Sequence, residues 1–124
     1  MRRVVQCICA LSALSASSQI AAEATLSPSQ LNDLGCVVAL SEARDAAIQN
    51  KRSDMGAMAA QEVYYYLGRL GTTMSGEELA NAFTKVGKSL VPPTPLEVNR
   101  RAQTCTEGLL KVLGPVGSRM VREP

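Results

Sequence analysis

The residues best suited to chemistry lie in the middle of the chain, where three consecutive tyrosines are followed closely by an arginine. If this segment is a helix, Glu62, Tyr65 and Arg69 are spaced three and four residues apart and lie on one face. Such a patch offers a ring for stacking, a guanidinium that can bind a carboxylate or phosphate, and a carboxylate to orient it. In the alternative interpretation, ordinary packing, Arg69 lies over Tyr65 and pairs with a neighbouring helix. We favour packing because surface pairs of this kind are common and weak, but the three residues stand as the candidate binding patch.

Catalysis finds little support in the sequence. The chain has no His, which removes the commonest metal ligand and the side chain best suited to proton transfer near neutral pH. Glu77 and Glu78 are adjacent and begin a helix, so they do not form the separated carboxylate pair of a glycosidase. The methionines are too scattered for a copper site, and Met55 is expected in the core. We therefore predict a protein that is not an enzyme, with no catalytic residue, no metal site and no cofactor.

The composition is that of one small globular domain. The 124 residues include 46% hydrophobic residues, which is too apolar for a disordered chain. Thirteen basic and 11 acidic residues give a formal net charge of +2. A nearly neutral chain without a basic block argues against nucleic acid as the partner.

The N-terminus has the three parts of a secretory signal peptide. Arginines at positions 2 and 3 precede a short, mostly apolar stretch, and Ala22 and Ala24 supply the small residues that signal peptidase requires. The stretch is too short and too polar for a membrane anchor. We predict that residues 1–24 are removed and that the mature chain begins at Thr25. We expect it in the periplasm or the medium, without stable membrane insertion.

The cysteine count follows from this cleavage. Cys7 and Cys9 leave with the signal peptide, so Cys36 and Cys105 remain. Two lone cysteines in a small exported domain usually pair, and without His they could complete a zinc site within one chain only with carboxylate ligands. We therefore predict a disulfide that closes a loop of about 70 residues and contributes roughly 4 kcal/mol.

The first of four predicted helices begins with a capping box. Ser27 caps the helix and Gln30 lies three residues further on. Apolar residues then recur at helical spacing to about Asn50. Gly35 is expected to divide this segment into a short turn and a main helix from Asp33.

The second and third helices are marked by similar signals. Ser53 is the expected cap of the second helix, which is broken by the glycine at Gly71. Ser75 and Glu78 form a second capping box, and the third helix is expected to end at Leu90.

A proline-rich connector precedes the fourth helix, which opens with Thr94 as cap and Glu97 three residues later. Its apolar stripe is expected to extend to Val112. Gly114 and Pro115 are expected to end the helix.

These segments together predict an all-α fold, because no stretch alternates with a period of two residues. We predict a small four-helix bundle over residues 25–114, pinned by the Cys36–Cys105 disulfide, and a flexible tail over residues 115–124.

The spacing of a few residues also resembles a pattern found in other proteins. The pattern formed by Cys36, Tyr65, Tyr66, Gly68, Arg69, Leu70 and Cys105 resembles small exported proteins of unknown function from proteobacteria. In plan alone, an exported helical domain with one long-range disulfide is similar to the periplasmic acid-stress chaperones HdeA and HdeB. The first resemblance implies export and no particular activity, and the second implies a protein-binding role under stress.

The sequence leaves three functions open. The first is a non-enzymatic protein of the cell envelope that binds another envelope protein, with protonation of its carboxylates as the trigger in an acid-stress version. The second is an inhibitor or immunity-type partner of a secreted enzyme. The third is a small-ligand binder that uses the groove beside Tyr65 and Arg69. The oligomeric state is left open.

Overall fold

A computed structural model describes residues 26–120 of the chain, with side chains up to residue 115. The predicted signal peptide, residues 1–24, and the last four residues of the predicted tail lie outside this range. Residues 26–120 form helices without any strand, which confirms the predicted all-α fold. The helices are α1 (Pro28–Gln49), α2 (Ser53–Gly71), α3 (Gly76–Leu90) and α4 (Pro95–Met120).

The capping boxes of α1 and α3 form as predicted. The Ser27 hydroxyl accepts from the Gln30 amide, and the Gln30 side chain accepts from the Ser27 amide. Ser75 and Glu78 exchange the same two bonds at α3. The predicted division of α1 at Gly35 is wrong, since the helix runs through it. A helical glycine costs only about 1 kcal/mol, and the buried neighbours on either side hold the helix together.

The predicted cap of α2 is wrong. Ser53 is the first residue of the helix, and the N-cap is Arg52, whose side chain makes no capping bond. The turn from α1 is only three residues long and places Lys51 in the left-handed region, at a φ of 58°. The Arg52 amide donates to the carbonyl of Ala47 in this turn, so the chain enters α2 one residue earlier than the serine signal indicates.

Helix α4 extends beyond the predicted end. It passes through Gly114 and Pro115 and continues to Met120, so the predicted stop at Gly114 is wrong. Proline in a helix removes one backbone bond and crowds the preceding turn. Residues 110–115 are exposed, so water can bind the carbonyl that loses its helical partner.

Helix α1 is the centre of the bundle and contacts each of the other three helices. Its closest partner is α2, which approaches so tightly that a Cβ on Gly56 would lie 3.2 Å from Cγ1 of Ile48. Gly56 therefore faces α1 in place of Met55, which is 49% exposed, and the expectation that Met55 is a core residue is wrong. Val112 is also exposed, because that part of α4 projects past the core. The buried apolar residues are Leu34, Cys36, Val37, Ala39, Leu40, Val63, Tyr66, Leu70, Ala82, Ala102, Cys105 and Leu109.

The predicted disulfide is present. Cys36 on α1 and Cys105 on α4 are both buried, and their Cα atoms are 5.7 Å apart. The bond therefore ties the first helix to the last inside the core.

Candidate functional site

Arg69 of the candidate patch is held by a carboxylate from another helix. Its Nε donates to Oδ2 of Asp33 on α1 at 3.1 Å. The Asp33 side chain is 6% exposed, whereas the Arg69 side chain is 45% exposed. The ion pair therefore joins α1 to α2 at the edge of the core, with one partner inside and the other at the surface.

Tyr65 is the second partner of Arg69. The guanidinium carbon lies 6.0 Å from the centre of the Tyr65 ring, within the range of a cation–π contact. Tyr65 first, and the Asp33 carboxylate next, raise the pKa of Arg69 above its usual value, so the guanidinium stays charged. Arg69 thus lies over Tyr65 and pairs with a neighbouring helix, which are the contacts of the packing interpretation.

Glu62 does not orient Arg69. Its Oε2 accepts a hydrogen bond of 2.7 Å from the Thr106 hydroxyl on α4. The carboxylate that orients the arginine is Asp33. The candidate binding patch is therefore tied to α1 at Arg69 and to α4 at Glu62, with Tyr65 between them.

Asp33 is the residue that sequence reasoning missed. Its position predicts the start of the main helix, yet in the structure it is a buried ion-pair partner. One signal was available, because Asp33 shares a helical face with Val37 and Leu40, four and seven residues further on. A carboxylate within an apolar stripe requires a cationic or hydrogen-bonding partner.

Tyr66 supports the patch from the core side. Its hydroxyl donates to the carbonyl of Cys105 at 2.5 Å, beside the disulfide. The rings of Tyr66 and Tyr65 are nearly perpendicular, with centres 5.1 Å apart and planes at 83°. Burial is the main cause that raises the pKa of Tyr66, with Tyr65, Asp33 and Glu62 adding to it and Arg69 opposing.

The exposed surface continues along α2 to Met58, whose side chain is 63% exposed. At about 100° per residue, Met58, Glu62, Tyr65 and Arg69 fall within an arc of about 60°. We call these four residues the α2 face. Tyr64, which is 72% exposed, points about 130° away from the centre of this arc.

Neither a metal centre nor a membrane span is found in the described part of the chain. Residues 26–115 bring no three His, Cys, Asp or Glu side chains together in a way that could hold a metal ion. Over the same described helices, none is both long and apolar enough to cross a membrane.

Comparisons with known proteins found no relative of this chain. The chain matches no protein family, no curated protein and no solved structure. The α2 face is therefore interpreted from its own geometry.

Proposed function

We propose that the chain is exported and acts outside the cytoplasm, without catalysis, by binding another protein through the α2 face. The observation that carries this proposal is a group of exposed and partly buried side chains that are already fixed by the fold. Arg69 is held by Asp33 and lies over Tyr65, and Glu62 is held by Thr106.

The residue types on this face favour a protein partner. Tyrosine, arginine and methionine are enriched in the central parts of protein interfaces, and methionine adapts its shape to different partners. Because Tyr65 and Arg69 are already ordered by their neighbours, binding loses less side-chain entropy than it would with free side chains.

Export is supported by two independent features. The N-terminus has the composition of a signal peptide. The buried disulfide between Cys36 and Cys105 belongs to the kind that persists in oxidising compartments. The absence of His from the whole chain supports a role without proton-transfer chemistry.

The test compares two faces of the same helix. A photo-crosslinking residue is placed at Met58 in one sample and at Tyr64 in another, in the oxidised mature chain mixed with an envelope extract. We expect a single partner in stoichiometric yield from position 58 and none from position 64. Tyr65→Ala should abolish that crosslink, whereas Tyr64→Ala should retain it, with helical content checked by circular dichroism. Equal crosslinking from both positions, or no stoichiometric partner, contradicts the proposal.

The acid-stress version makes a narrower claim about the same face. In this version, protonation of the chain's carboxylates at low pH removes ion pairs and loosens the contacts between the helices. Dye binding and suppression of aggregation, followed from about pH 7 to about pH 2, test this version. A chain that stays monomeric and binds no dye over that range excludes it, and leaves binding at neutral pH intact.

A further inference from the structure

The outward side of α4 is a second surface that the other helices leave uncovered. At about 100° per residue, five side chains of this helix fall within an arc of about 80°. They are Leu96, Arg100, Gln103, Glu107 and Leu110, and all five are exposed. The two leucines are 68% and 60% exposed, which is unusual for side chains of this size. We call these five residues the α4 face.

The core lies on the other side of the same helix. Ala102, Cys105 and Leu109 of α4 are buried, and their mean direction is about 150° from the centre of the α4 face. Because the rest of the bundle lies behind α4, a second molecule can reach the α4 face without displacing any other helix.

The polar side chains of the α4 face are bonded within the helix. Nη1 of Arg100 lies 3.3 Å from Oε2 of Glu97. The Gln103 side-chain amide donates to Oε1 of Glu107 at 3.1 Å. Both contacts are exposed to solvent and join residues three or four apart, so they are weak. The charges of Arg100 and Glu107 can therefore also pair with charges on a partner.

The order of side chains along the α4 face is the same in both directions once the two charges are exchanged. Leu96 lies seven residues before Gln103, and Leu110 lies seven residues after it. Arg100 lies three residues before Gln103, and Glu107 lies four residues after it. A two-fold symmetric interface needs such a pattern, because every contact between two positions occurs twice with the two copies exchanged.

We propose that two copies of the chain form an antiparallel dimer through the α4 face, with the two-fold axis at Gln103. Leu96 then lies opposite the partner's Leu110, once at each end of the contact. Arg100 falls within about one residue, or about 1.5 Å along the helix, of the position opposite the partner's Glu107. Two ion pairs therefore flank the axis, where the two Gln103 side chains can each donate and accept a hydrogen bond.

The charges of the α4 face favour a second copy over a strongly charged partner. One cation and one anion leave the face without net charge, so it does not attract a surface of either sign. An antiparallel pair satisfies both charges, whereas a parallel pair in register places like charges opposite each other.

The length of the contact sets the strength of the dimer. Leu96 and Leu110 are 14 residues apart, which is about 21 Å along a helix. One pair of helices of this length is smaller than the interfaces of roughly 1,200 Å² or more that hold stable complexes. We therefore expect a weak dimer whose population depends on the protein concentration.

Sedimentation equilibrium of the oxidised mature chain tests the proposal. The apparent mass should rise from that of the monomer towards that of the dimer as the concentration increases. Arg100→Glu and Glu107→Arg each place like charges opposite each other in both symmetry-related pairs, so each should raise the dissociation constant at least about tenfold. Lys88→Glu makes the same change in net charge as Arg100→Glu but lies on α3, and as the matched control it should dimerise as the parent does. Circular dichroism checks that the variants keep their helical content.

Restoration of the dimer tests the antiparallel pairing itself. The double variant Arg100→Glu/Glu107→Arg exchanges the signs of both ion pairs and should dimerise as the parent does. An equimolar mixture of the two single variants should also form dimers, because every charge then lies opposite one of the other sign.

Three results would overturn the proposal. They are a parent chain that stays monomeric up to about 1 mM, a dimer that neither charge reversal weakens, and charge reversals whose effect the double variant does not restore. Tyr65→Ala should leave the dimer unchanged, so failure here and failure of the α2 face remain distinguishable.

Discussion

Asp33 places a carboxylate at the edge of an apolar core. Its neighbour Leu34 and the neighbour of Arg69, Leu70, are both almost completely buried. A buried carboxylate costs several kcal/mol unless it is paired, whereas Arg69 keeps nearly half of its exposure to water. The two partners are therefore unequal, since Asp33 depends on Arg69 more than Arg69 depends on Asp33.

This inequality predicts different costs for the two single variants. Arg69→Met leaves the buried carboxylate unpaired, and we expect a loss of about 2–3 kcal/mol, reduced from the fully buried case because water reaches this site. Asp33→Asn leaves a guanidinium that can turn to solvent, and we expect about 1 kcal/mol. Urea unfolding of both variants and of the double variant measures the coupling. Equal single costs, or a double variant that shows their simple sum, would contradict an uneven, coupled pair.

Tyr66 predicts a dependence of stability on alkaline pH. Its folded pKa is raised above the usual value of 10.0, chiefly by burial. The unfolded state therefore loses the phenol proton first. The stability due to the buried, protonated phenol is fully present below about pH 10 and declines as the pH rises through the higher folded pKa.

Tyr66→Phe separates this effect from the hydrogen bond to Cys105. At neutral pH we expect the variant to lose about 1–2 kcal/mol, because the Cys105 carbonyl loses its donor. Above about pH 10 the difference in unfolding free energy between the parent and the variant should become smaller. The parent loses stability as Tyr66 ionises, whereas the variant has no phenol at this site. Urea midpoints from about pH 8 to about pH 11 give the measurement, with Tyr64→Phe as the exposed control. A gap that stays constant with pH would show that Tyr66 does not titrate differently in the two states.

At the scale of the helix, two glycines of α2 differ in how closely other atoms approach them. A Cβ on Gly68 would meet nothing within 4 Å, whereas one on Gly56 would meet Ile48 at 3.2 Å and the Arg44 carbonyl at 3.7 Å. Gly68 therefore does not serve close packing beside Arg69. It represents only the usual cost of glycine inside a helix.

We expect Gly68→Ala to stabilise the bundle by up to about 1 kcal/mol, from helix propensity alone. Gly56→Ala should gain less, because the Ile48 side chain has to move to admit the new methyl group. Ile48 is exposed, so it can move, and the variant should still fold. Thermal unfolding midpoints of the two variants, compared with that of the parent, show which substitution stabilises the bundle more. A larger gain at Gly56 than at Gly68 would mean that the close approach of α1 and α2 is not tight.

The same scale shows what sequence could and could not predict. The caps at Ser27 and Ser75 were predictable, because both partners of each box lie within four residues. The start of α2 was not, because it depends on how a three-residue turn lets two helices approach at Gly56. The patch was predictable as one face of a helix. The residue that fixes Arg69 of this patch is Asp33, which lies 36 residues earlier in the chain. This is a tertiary contact, and no local spacing in the sequence predicts it.

At the scale of the whole molecule, the disulfide has a particular place in the packing. Helix α1 already packs closely on α2, and they are joined by a short turn. Helix α4 contacts α1 less extensively than α2 does. The links that hold it include the disulfide and the hydrogen bonds of Tyr66 and Glu62 to α4. Loss of the disulfide should therefore release α4 before it separates α1 from α2.

We expect joint replacement of Cys36 and Cys105 by alanine to cost roughly 4 kcal/mol, because the cysteines are 69 positions apart and the bond closes a long loop. This is close to the whole net stability of a small domain. Hydrogen exchange should show protection lost first in residues 95–110, while α1 and α2 retain part of theirs. Uniform loss across all four helices would indicate that the bundle unfolds as one unit. A variant with an unchanged urea midpoint would show that packing alone holds α4, and the disulfide would then give no reason to place the protein in an oxidising compartment.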